Sequence, residues 1–414
     1  MTILVKPAIL AVADSDSYLK LATTFLHRLG PSWDRRVVLA RTPVMPTEEQ
    51  IAAAFEGTDL DPADLEVLAL NQFNAQTVGE DVVFAAATGP VVAELYARML
   101  RTEPVDQRRT ALISALPGVA YPATRKGWNY RRPGDAFICH SHAEARDFSF
   151  MNLDHEGHQP TIMVSKLPFL RSSGFPTSSS APIKRLVFAP QAKVPVGKTE
   201  RESILVSLEQ AARLNPGLEV MVKLRARAGE PQTHLEAYPY DLLFEELVRS
   251  GRLGKSTHLR FVTGSMSEVL TEHSALVTVS STAALESIDR GLPTMVLSDF
   301  GVNAQMINVV FESSGLLGTL QDLEDLNFEP ANKPWLRENY FHRVDNTFNE
   351  SLTILAHRAR GGQLKTDPEI LAFIKHQPLR QRVRTALPTP VLRVLLKIRR
   401  HMKLSRQSNP RSMS

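Results

Sequence analysis

Cysteine and long apolar runs are both scarce in this chain of 414 residues. The single cysteine, Cys139, excludes an intrachain disulfide and a cysteine-rich zinc site, and it fits a reducing compartment. No stretch offers the roughly 20 uninterrupted apolar residues that a membrane-spanning helix requires. The apolar run before Asp14 is about six residues long, too short for the core of a secretory signal. We therefore expect a cytosolic protein.

Several catalytic and nucleotide-binding motifs are also lacking. The sequence has no GxGxxG, no P-loop and no Gly-x-Ser-x-Gly, which removes the usual support for dinucleotide binding, nucleoside triphosphate hydrolysis and serine hydrolysis. His140 and His142 in CHSHAEAR are only two histidines, whereas a catalytic zinc needs three protein ligands. No HExxH or CxxC accompanies them. We predict neither a metal ion nor a cofactor.

Acidic residues are absent from the C-terminal end of the chain. Of the 48 Lys and Arg residues, eleven lie in residues 370–414, which contain no Asp or Glu. The remainder carries 37 basic against 44 acidic residues, so the net charge of +4 and the basic pI describe the tail. We therefore expect no nucleic-acid partner for the body of the protein.

What the sequence does contain is an alternation of strand-like and helical segments, which is typical of parallel βαβ units. The predicted strands of the first half are AILAVA, RRVVLA, LEVLAL, TALISALPGV and DAFICHS, at residues 8–13, 35–40, 65–70, 110–119 and 135–141. A break rich in Ser, Gly and Pro follows at residues 171–182, and we interpret it as an interdomain linker. The pattern then resumes with KRLVFAP, EVMVKLR, HLRFVTG, ALVTVS and TMVLSDF, at residues 184–190, 219–225, 258–264, 275–280 and 294–300. Two α/β halves predict a cleft, with ligands beyond the carboxyl ends of the strands.

The segment TVSSTAALESIDRGLP, residues 278–293, carries the clearest ligand signal. A strand ends near Ser280, and a helix begins near Ser281 or Thr282. Free N–H groups and the positive dipole end at a helix N-terminus suit a phosphate, and Glu286 could accept from ribose hydroxyls. The alternative is that Ser281 or Thr282 only caps the helix, which stabilises it by about 1 kcal/mol.

This hydroxyl cluster, followed by Glu and Gly-x-Pro, resembles the donor-nucleotide motif of GT-B glycosyltransferases. More narrowly, it is similar to the serine/threonine motif of capsule-type polysialyl and ulosonic-acid transferases, which use CMP-activated sugars. Those families carry a Lys-x-His-Pro element, for which Lys223, Arg225 and His234 are the counterparts here. The sequence departs from that element because Leu235 follows His234.

Over nearly its full length the chain also resembles an uncharacterised actinobacterial family of glycosyltransferases. The stretches that carry this likeness are ADSDSYLKLA (13–22), ALPGVAYPATRKG (115–127), FAPQAKVP (188–195), EPQTH (230–234) and VTVSSTAALESIDRGLPTMVLSDFGV (277–302).

The resemblance implies three chemical roles. Donor-binding candidates follow the strands of the second half, where cations and N–H groups can stabilise a leaving phosphate: Gln191, Lys193, Lys223, Arg225, His234, Gly264, Ser280, Ser281, Thr282 and Glu286. Acceptor-binding candidates lie in the first half: Arg125, Lys126, His140 and His142. A base for the acceptor hydroxyl is expected after the first strand, at Asp14 or Asp16. Asp16 suits the N-cap of the next helix, so Asp14 is the preferred catalyst.

The basic tail at residues 388–406 has an amphipathic helical pattern. Val391, Leu395, Ile398 and Met402 share one face, and basic residues surround it. Such a helix could lie on an anionic membrane, where each basic residue contributes about 1 kcal/mol, or it could pack on the acidic body.

Together these features predict an α/β protein with two Rossmann-like domains facing a cleft, the GT-B arrangement, and a basic amphipathic C-terminal helix. The expected domains are residues 1–175 on the acceptor side and 182–330 for the nucleotide sugar. Helices in residues 331–378 should pack back across the junction, before a tail at 379–414. The predicted activity is metal-independent glycosyl transfer from a nucleotide sugar, best a CMP-linked sialic or ulosonic sugar, to a cell-surface or cell-wall glycan. The alternatives are a CDP-glycerol polyol-phosphate transferase of the teichoic-acid type and a non-catalytic nucleotide-sugar-binding module.

Overall fold

Two parallel β-sheets form the framework of the protein. The computed structural model describes residues 6–43, 45–102, 108–154, 157–170, 176, 181–225, 227, 236–254, 258–343 and 347–375. The first sheet contains β1 (Ala8–Ala13), β2 (Asp34–Ala40), β3 (Glu66–Leu68), β4 (Val82–Ala86), β5 (Ala111–Ala115), β6 (Ala136–Cys139) and β7 (Thr161–Val164). The second contains β8 (Arg185–Ala189), β9 (Glu219–Lys223), β10 (Leu259–Val262), β11 (Ser274–Thr278), β12 (Thr294–Leu297) and β13 (Leu317–Gly318).

Helices connect these strands and continue after the second sheet. They are α1 (Asp16–Leu29), α2 (Glu48–Phe55), α3 (Gly89–Arg101), α4 (Arg125–Arg131), α5 (His142–Leu153), α6 (Lys198–Leu214), α7 (Tyr240–Arg249), α8 (Met266–Val269), α9 (Ala283–Asp289), α10 (Leu320–Glu324), α11 (Lys333–Glu338), α12 (Thr347–Arg360) and α13 (Pro368–Lys375). The two predicted parallel α/β units are thereby confirmed.

The strand order reverses once in each sheet. The first sheet has the order β3-β2-β1-β4-β5-β6-β7, and the second has the order β10-β9-β8-β11-β12-β13. The chain therefore changes direction between β1 and β4, and again between β8 and β11. In open parallel sheets the loops that diverge at such a point leave a crevice beyond the carboxyl ends of the strands, where ligands bind.

The central strands are apolar throughout because helices cover both faces of each sheet. All five residues of β4, VVFAA, are buried, as are five of the six residues of β1. The helices bury one stripe each, and α1 places Leu19, Ala22 and Leu26 against the sheet while Lys20 and His27 face solvent.

The chain returns to the first sheet after it completes the second. Leu352, Leu355 and Ala356 of α12 belong to the core on the α1 face of the first sheet. Ile370 and Ile374 of α13 belong to the core on the opposite face, beside α3. The first domain is therefore completed by a segment that follows the second domain.

Some sequence-based predictions fall outside the described residues. These are His234, the basic tail at residues 379–414 and most of the linker at 171–182. Within the part of the chain that is described, every helix is too short or too polar to cross a lipid bilayer.

We predict that Gly89→Ala lowers stability through overpacking. Gly89 begins α3, and a methyl group there would overlap the ring of Tyr130 at the end of α4. Overpacking of this kind costs about 1–3 kcal/mol, more than the helix propensity that alanine adds. Urea unfolding measures the loss. Gly79→Ala is the matched control because a methyl group there meets nothing within 4 Å. Equal stability of the two variants would contradict this account of the α3–α4 contact.

Candidate functional site

The candidate site lies at the carboxyl edge of the second sheet, where β8 and β11 diverge. The loop after β8 contains Gln191, whose side-chain amide donates to the carbonyl of Ser280 after β11 at 3.2 Å. The two loops at the switch point are thus tied to one another. Lys193, two residues further along, is exposed.

Arg201 of α6 fixes the shape of the loop after β8. Its buried guanidinium donates to the carbonyl oxygens of Gln191, Ala192 and Pro195 at 3.1, 2.9 and 2.8 Å. It also pairs with Glu236 and lies 4.8 Å from the centre of the Tyr240 ring. Sequence reasoning missed Arg201, because a positive charge in a helix usually indicates a solvent-exposed face.

The hydroxyl cluster after β11 satisfies much of its own hydrogen bonding. The hydroxyl oxygen of Thr278 accepts from the amides of Ser280 and Ser281 at 3.3 and 3.0 Å. The hydroxyl of Ser281 accepts from the amide of Ala283 at 3.2 Å. Thr282 stands at the N-cap position of α9 without a side-chain cap bond. The turn therefore offers a ligand fewer free amides than its sequence suggested.

Ser280 differs from its predicted role. It is buried, and its hydroxyl donates to the carbonyl of Ile307 at 2.6 Å. This bond joins the turn to the segment after β12, so the Ser280 side chain shapes the site and is not available to a donor phosphate. Thr278, which holds the turn, was not a predicted site residue, although a Thr directly before two Ser residues is a signal for a hydroxyl-capped turn.

Charged side chains gather beside this turn. Lys223 ends β9, and burial lowers its pKa, with the nearby charge of Arg225 acting in the same direction. The carboxylates of Glu286 and Glu268 oppose this shift. Gly264 lies in the loop after β10 in the left-handed region, at φ +97°, where its backbone approaches Glu268. The Lys223 amine donates to the carbonyl of Leu224 at 3.1 Å, and its charge interacts with that of Glu286, the predicted ribose ligand.

The first domain contacts this turn directly. A methyl group at Gly118, after β5, would come within 3.1 Å of the methyl group of Thr282. Val119 and Tyr121 pack against the apolar cluster that includes Ala283. The start of α9 therefore lies at the boundary between the two domains.

Asp14 lies at the switch point of the first sheet, between β1 and β4. It is buried, and its carboxylate accepts from the amide of Thr88 at 3.0 Å and from the Thr88 hydroxyl. Its second oxygen is buried without a hydrogen-bond partner. Burial raises the pKa of Asp14, although Thr88 and the charge of Arg131 lower it. Asp14 thus joins the end of β1 to the start of α3.

Asp16 has more open surroundings than Asp14. It is the first residue of α1 and is half-buried, whereas Ser15 occupies the N-cap position. The expectation that Asp16 caps α1 is therefore wrong, and its carboxylate remains at the carboxyl edge of the sheet.

The acceptor-side predictions separate into two groups. Arg125 and Lys126 are exposed at the start of α4, and Arg125 pairs with Asp154 at 2.9 Å. His140 differs from its predicted sugar contact, because it is buried and its two ring nitrogens lie 3.1 and 2.8 Å from the carbonyl oxygens of Ser165 and Leu116. Both nitrogens are thereby engaged by the protein.

His142 remains accessible and opens a groove along α5. The ring of His142 meets the ring of His342, with centres 4.9 Å apart. The groove has a volume of about 530 Å³ and is shallow. Its lining residues are His142, Ala145, Arg146, Ser149, Phe150, Leu153 and Glu338. Among the described residues, no group of three His, Cys, Asp or Glu side chains is arranged to hold a metal ion.

The chain resembles known proteins at the levels of family and fold. A family model described as "Putative glycosyltransferase (DUF6716)" matches residues 9–355. The structure of S. aureus MnaA with UDP has a TM-score of 0.53 and 10% identity, covering 87% of this chain and 98% of that one. The UDP-GlcNAc 2-epimerase of Methanocaldococcus jannaschii has a TM-score of 0.51 and 9% identity, covering 85% and 99%. No curated protein sequence matches the chain. These likenesses confirm the predicted fold, two α/β domains of the GT-B kind.

We predict that Asp14→Asn becomes increasingly stabilising, relative to the wild type, as pH rises. A carboxyl whose pKa is higher in the folded state binds its proton more tightly there, so its ionisation reduces stability above its ordinary pKa of about 4. The amide oxygen of asparagine can accept from both the amide and the hydroxyl of Thr88, and it does not ionise. The measurement is the free energy of unfolding in urea across the range from about pH 4 to 8.

Asp16→Asn is the control for this measurement, since the half-buried Asp16 carboxyl has no bond to Thr88. A stability difference between Asp14→Asn and the wild type that stays constant with pH would contradict the raised pKa of Asp14.

Proposed function

We propose that this chain, which belongs to the family described as "Putative glycosyltransferase (DUF6716)", transfers a glycosyl group from a nucleotide sugar to a hydroxyl of a glycan acceptor. The observation that carries the proposal is the placement of Lys223, which ends β9, and of Glu286 in α9, after β11, close enough for their charges to interact at the carboxyl side of the second sheet. A cation and a carboxylate so placed match the adjacent phosphate and ribose of a nucleotide. Lys223 would contact the phosphate, and Glu286 would accept from the ribose hydroxyls.

The chemistry of the leaving group supports this assignment. A nucleotide sugar releases a phosphate or diphosphate, and fixed cations and N–H groups stabilise the negative charge that develops. Lys223 lies with Arg225 at the end of β9, where partial burial strengthens electrostatic interactions. Ser281 and Thr282 flank the same position, at the start of α9.

The base that removes the acceptor proton is proposed to be Asp16. Asp14 and Asp16 both follow β1, but Asp14 is sealed between β1 and α3 by its bonds to Thr88. Asp16 is half-buried and faces the same edge of the sheet. Asp14 then holds the loop that carries Asp16.

Two kinds of donor remain in the proposal. The serine/threonine motif favours a CMP-linked sialic or ulosonic sugar, while the fold likeness to S. aureus MnaA with UDP supports a UDP-linked sugar. Accessible His142 and the groove along α5 are the proposed acceptor side, and a surface glycan is the proposed acceptor.

We expect one class of nucleotide to raise the melting temperature, because only a ligand that binds the native state stabilises it. The screen contains CMP-, CDP-, UDP- and GDP-linked donors and the free nucleotides.

Lys223→Met should weaken binding of the stabilising nucleotide roughly 10- to 100-fold, since a charge-assisted hydrogen bond contributes about 1.5–3 kcal/mol. Titration calorimetry measures the dissociation constants. Glu286→Gln should also weaken binding if Glu286 accepts from ribose.

The matched control is Lys184→Met. Lys184 is exposed and precedes β8, so it lies at the opposite edge of the same sheet. If no nucleotide binds the wild type, or if Lys223→Met and Lys184→Met bind equally well, the proposed donor site is wrong. Exchange of the C2 proton of UDP-GlcNAc with deuterated solvent, without transfer, would instead indicate a 2-epimerase.

We further predict that Asp16→Asn lowers kcat by about 10²- to 10⁴-fold, the usual contribution of a general base, while nucleotide affinity changes little. Product formation from the donor identified in the screen measures kcat, and calorimetry measures affinity. Unchanged turnover in Asp16→Asn would exclude Asp16 as the base. Loss of turnover in Asp14→Asn alone would restore Asp14 to that role.

A further inference from the structure

A buried carboxylate, Glu144, lies outside the proposed donor site and joins three separate parts of the chain. We infer that Glu144 and Tyr340 are positioning residues, which set the alignment of the donor turn at Thr282 with the acceptor domain. The inference rests on the proposed function for its catalytic consequence. The geometry of the junction itself is independent of that function.

Glu144 belongs to the first turn of α5 and has no solvent exposure. One carboxylate oxygen accepts from the amide of Ala120 at 2.8 Å and from the hydroxyl of Tyr340 at 2.5 Å. The other accepts from the amide of His140 at 2.8 Å. Burial of a carboxylate is costly unless such donors compensate for lost water, so all three donors are held in place.

Each donor comes from a different segment. Ala120 is in the loop after β5, and His140 is in the loop after β6. Tyr340 follows α11, in the segment through which the chain returns from the second domain to the first. The hydrogen bond from Tyr340 therefore crosses the domain junction.

Two chains of contact lead from Glu144 to the donor turn. Ala120 is two residues from Gly118, whose backbone lies against the methyl group of Thr282. The ring of Tyr340 belongs to the same apolar cluster as Ala283 and Leu285 of α9. The carboxylate thus fixes both the loop that contacts the donor turn and the segment that packs beneath it.

Neighbouring histidines reinforce the same junction. The buried ring of His140 joins the loops after β5 and β7 through Leu116 and Ser165. His342 lies 3.2 Å from the carbonyl oxygen of His140, and burial lowers the pKa of His342, as do the charges of His142 and Lys166. The three loops at this edge are therefore connected to the returning segment at more than one point.

The expected consequence is geometric. The donor binds one domain and the base belongs to the other, so a small rotation between domains changes the distance from the base to the reacting carbon. A misplacement of about 1 Å can lower the rate roughly 100-fold. The nucleotide itself contacts the second domain and should bind whether or not the junction is aligned.

The test uses Tyr340→Phe, which removes one hydroxyl and keeps the ring. We expect at least a tenfold loss of kcat with nucleotide affinity within about twofold of the wild type, as calorimetry measures it. Thr23→Val is the matched control because it removes a buried hydrogen bond within the first domain, from Thr23 of α1 to the Ala54 carbonyl of α2. It should lower the melting temperature without lowering kcat.

Glu144→Gln is the second variant. The amide group of the new glutamine would face the N–H donors of Ala120 and His140, so this variant should also lose kcat.

A distance measurement separates this inference from the proposed function. Spin labels at Lys20→Cys in α1 and Lys184→Cys before β8 report the separation of the domains, and the buried Cys139 does not react. Tyr340→Phe should broaden or shift the distribution of distances between the two labels, whereas Thr23→Val should not.

An unchanged distance distribution together with an unchanged kcat would overturn the positioning role of Tyr340. Failure of the wild type to bind any nucleotide would overturn the proposed function, and the distance measurement would still decide the role of Tyr340.

Discussion

The hydrogen bonds to the buried Glu144 carboxylate govern how the two domains meet. The charge cannot be stable in an apolar interior without donors, so the loop at Ala120, the loop at His140 and the returning segment at Tyr340 converge on it. Because α12 and α13 then complete the core of the first domain, the junction is part of the folding unit. The second domain is inserted between the two parts of the first, and Tyr340 restrains the segment that returns from it.

The same principle operates at the switch points of the sheets. Diverging loops leave backbone groups that no neighbouring strand can pair, and short polar side chains satisfy them. Asp14 binds the start of α3 through Thr88, and Gln191 binds the carbonyl of Ser280. These residues have a structural task, and we propose Lys223 and Glu286 as the groups that meet a ligand at the edge of the second sheet.

The fold class followed from the alternation of strands and helices, but β7, β13 and the central strand β4 were not predicted. Its residues VVFAA run directly into Ala87 and α3, and a short apolar run beside a helix has no periodicity that separates strand from helix. Without β4 beside β1, the sequence favours Asp14 as the catalytic base, whereas the fold binds its carboxylate to Thr88 at the start of α3. Lys223 and Glu286 stay predictions, drawn from a strand end and from the first turn of the helix after the next strand but one. Ser280 and His140 were misjudged, since Ile307, Leu116 and Ser165 are distant in sequence and only the fold brings these carbonyls to them.

Lys223 places a charged side chain at the partly buried end of β9. Desolvation and Arg225 both disfavour its charged form, and Glu286 and Glu268 restore part of the lost stabilisation. The amine of Lys223 donates to the Leu224 carbonyl at 3.1 Å and remains half-buried. A phosphate would interact more strongly with it than with an exposed lysine, because the surrounding medium screens charge less. The partial burial of Lys223 at the end of β9 is therefore the physical reason why we propose it as the phosphate ligand.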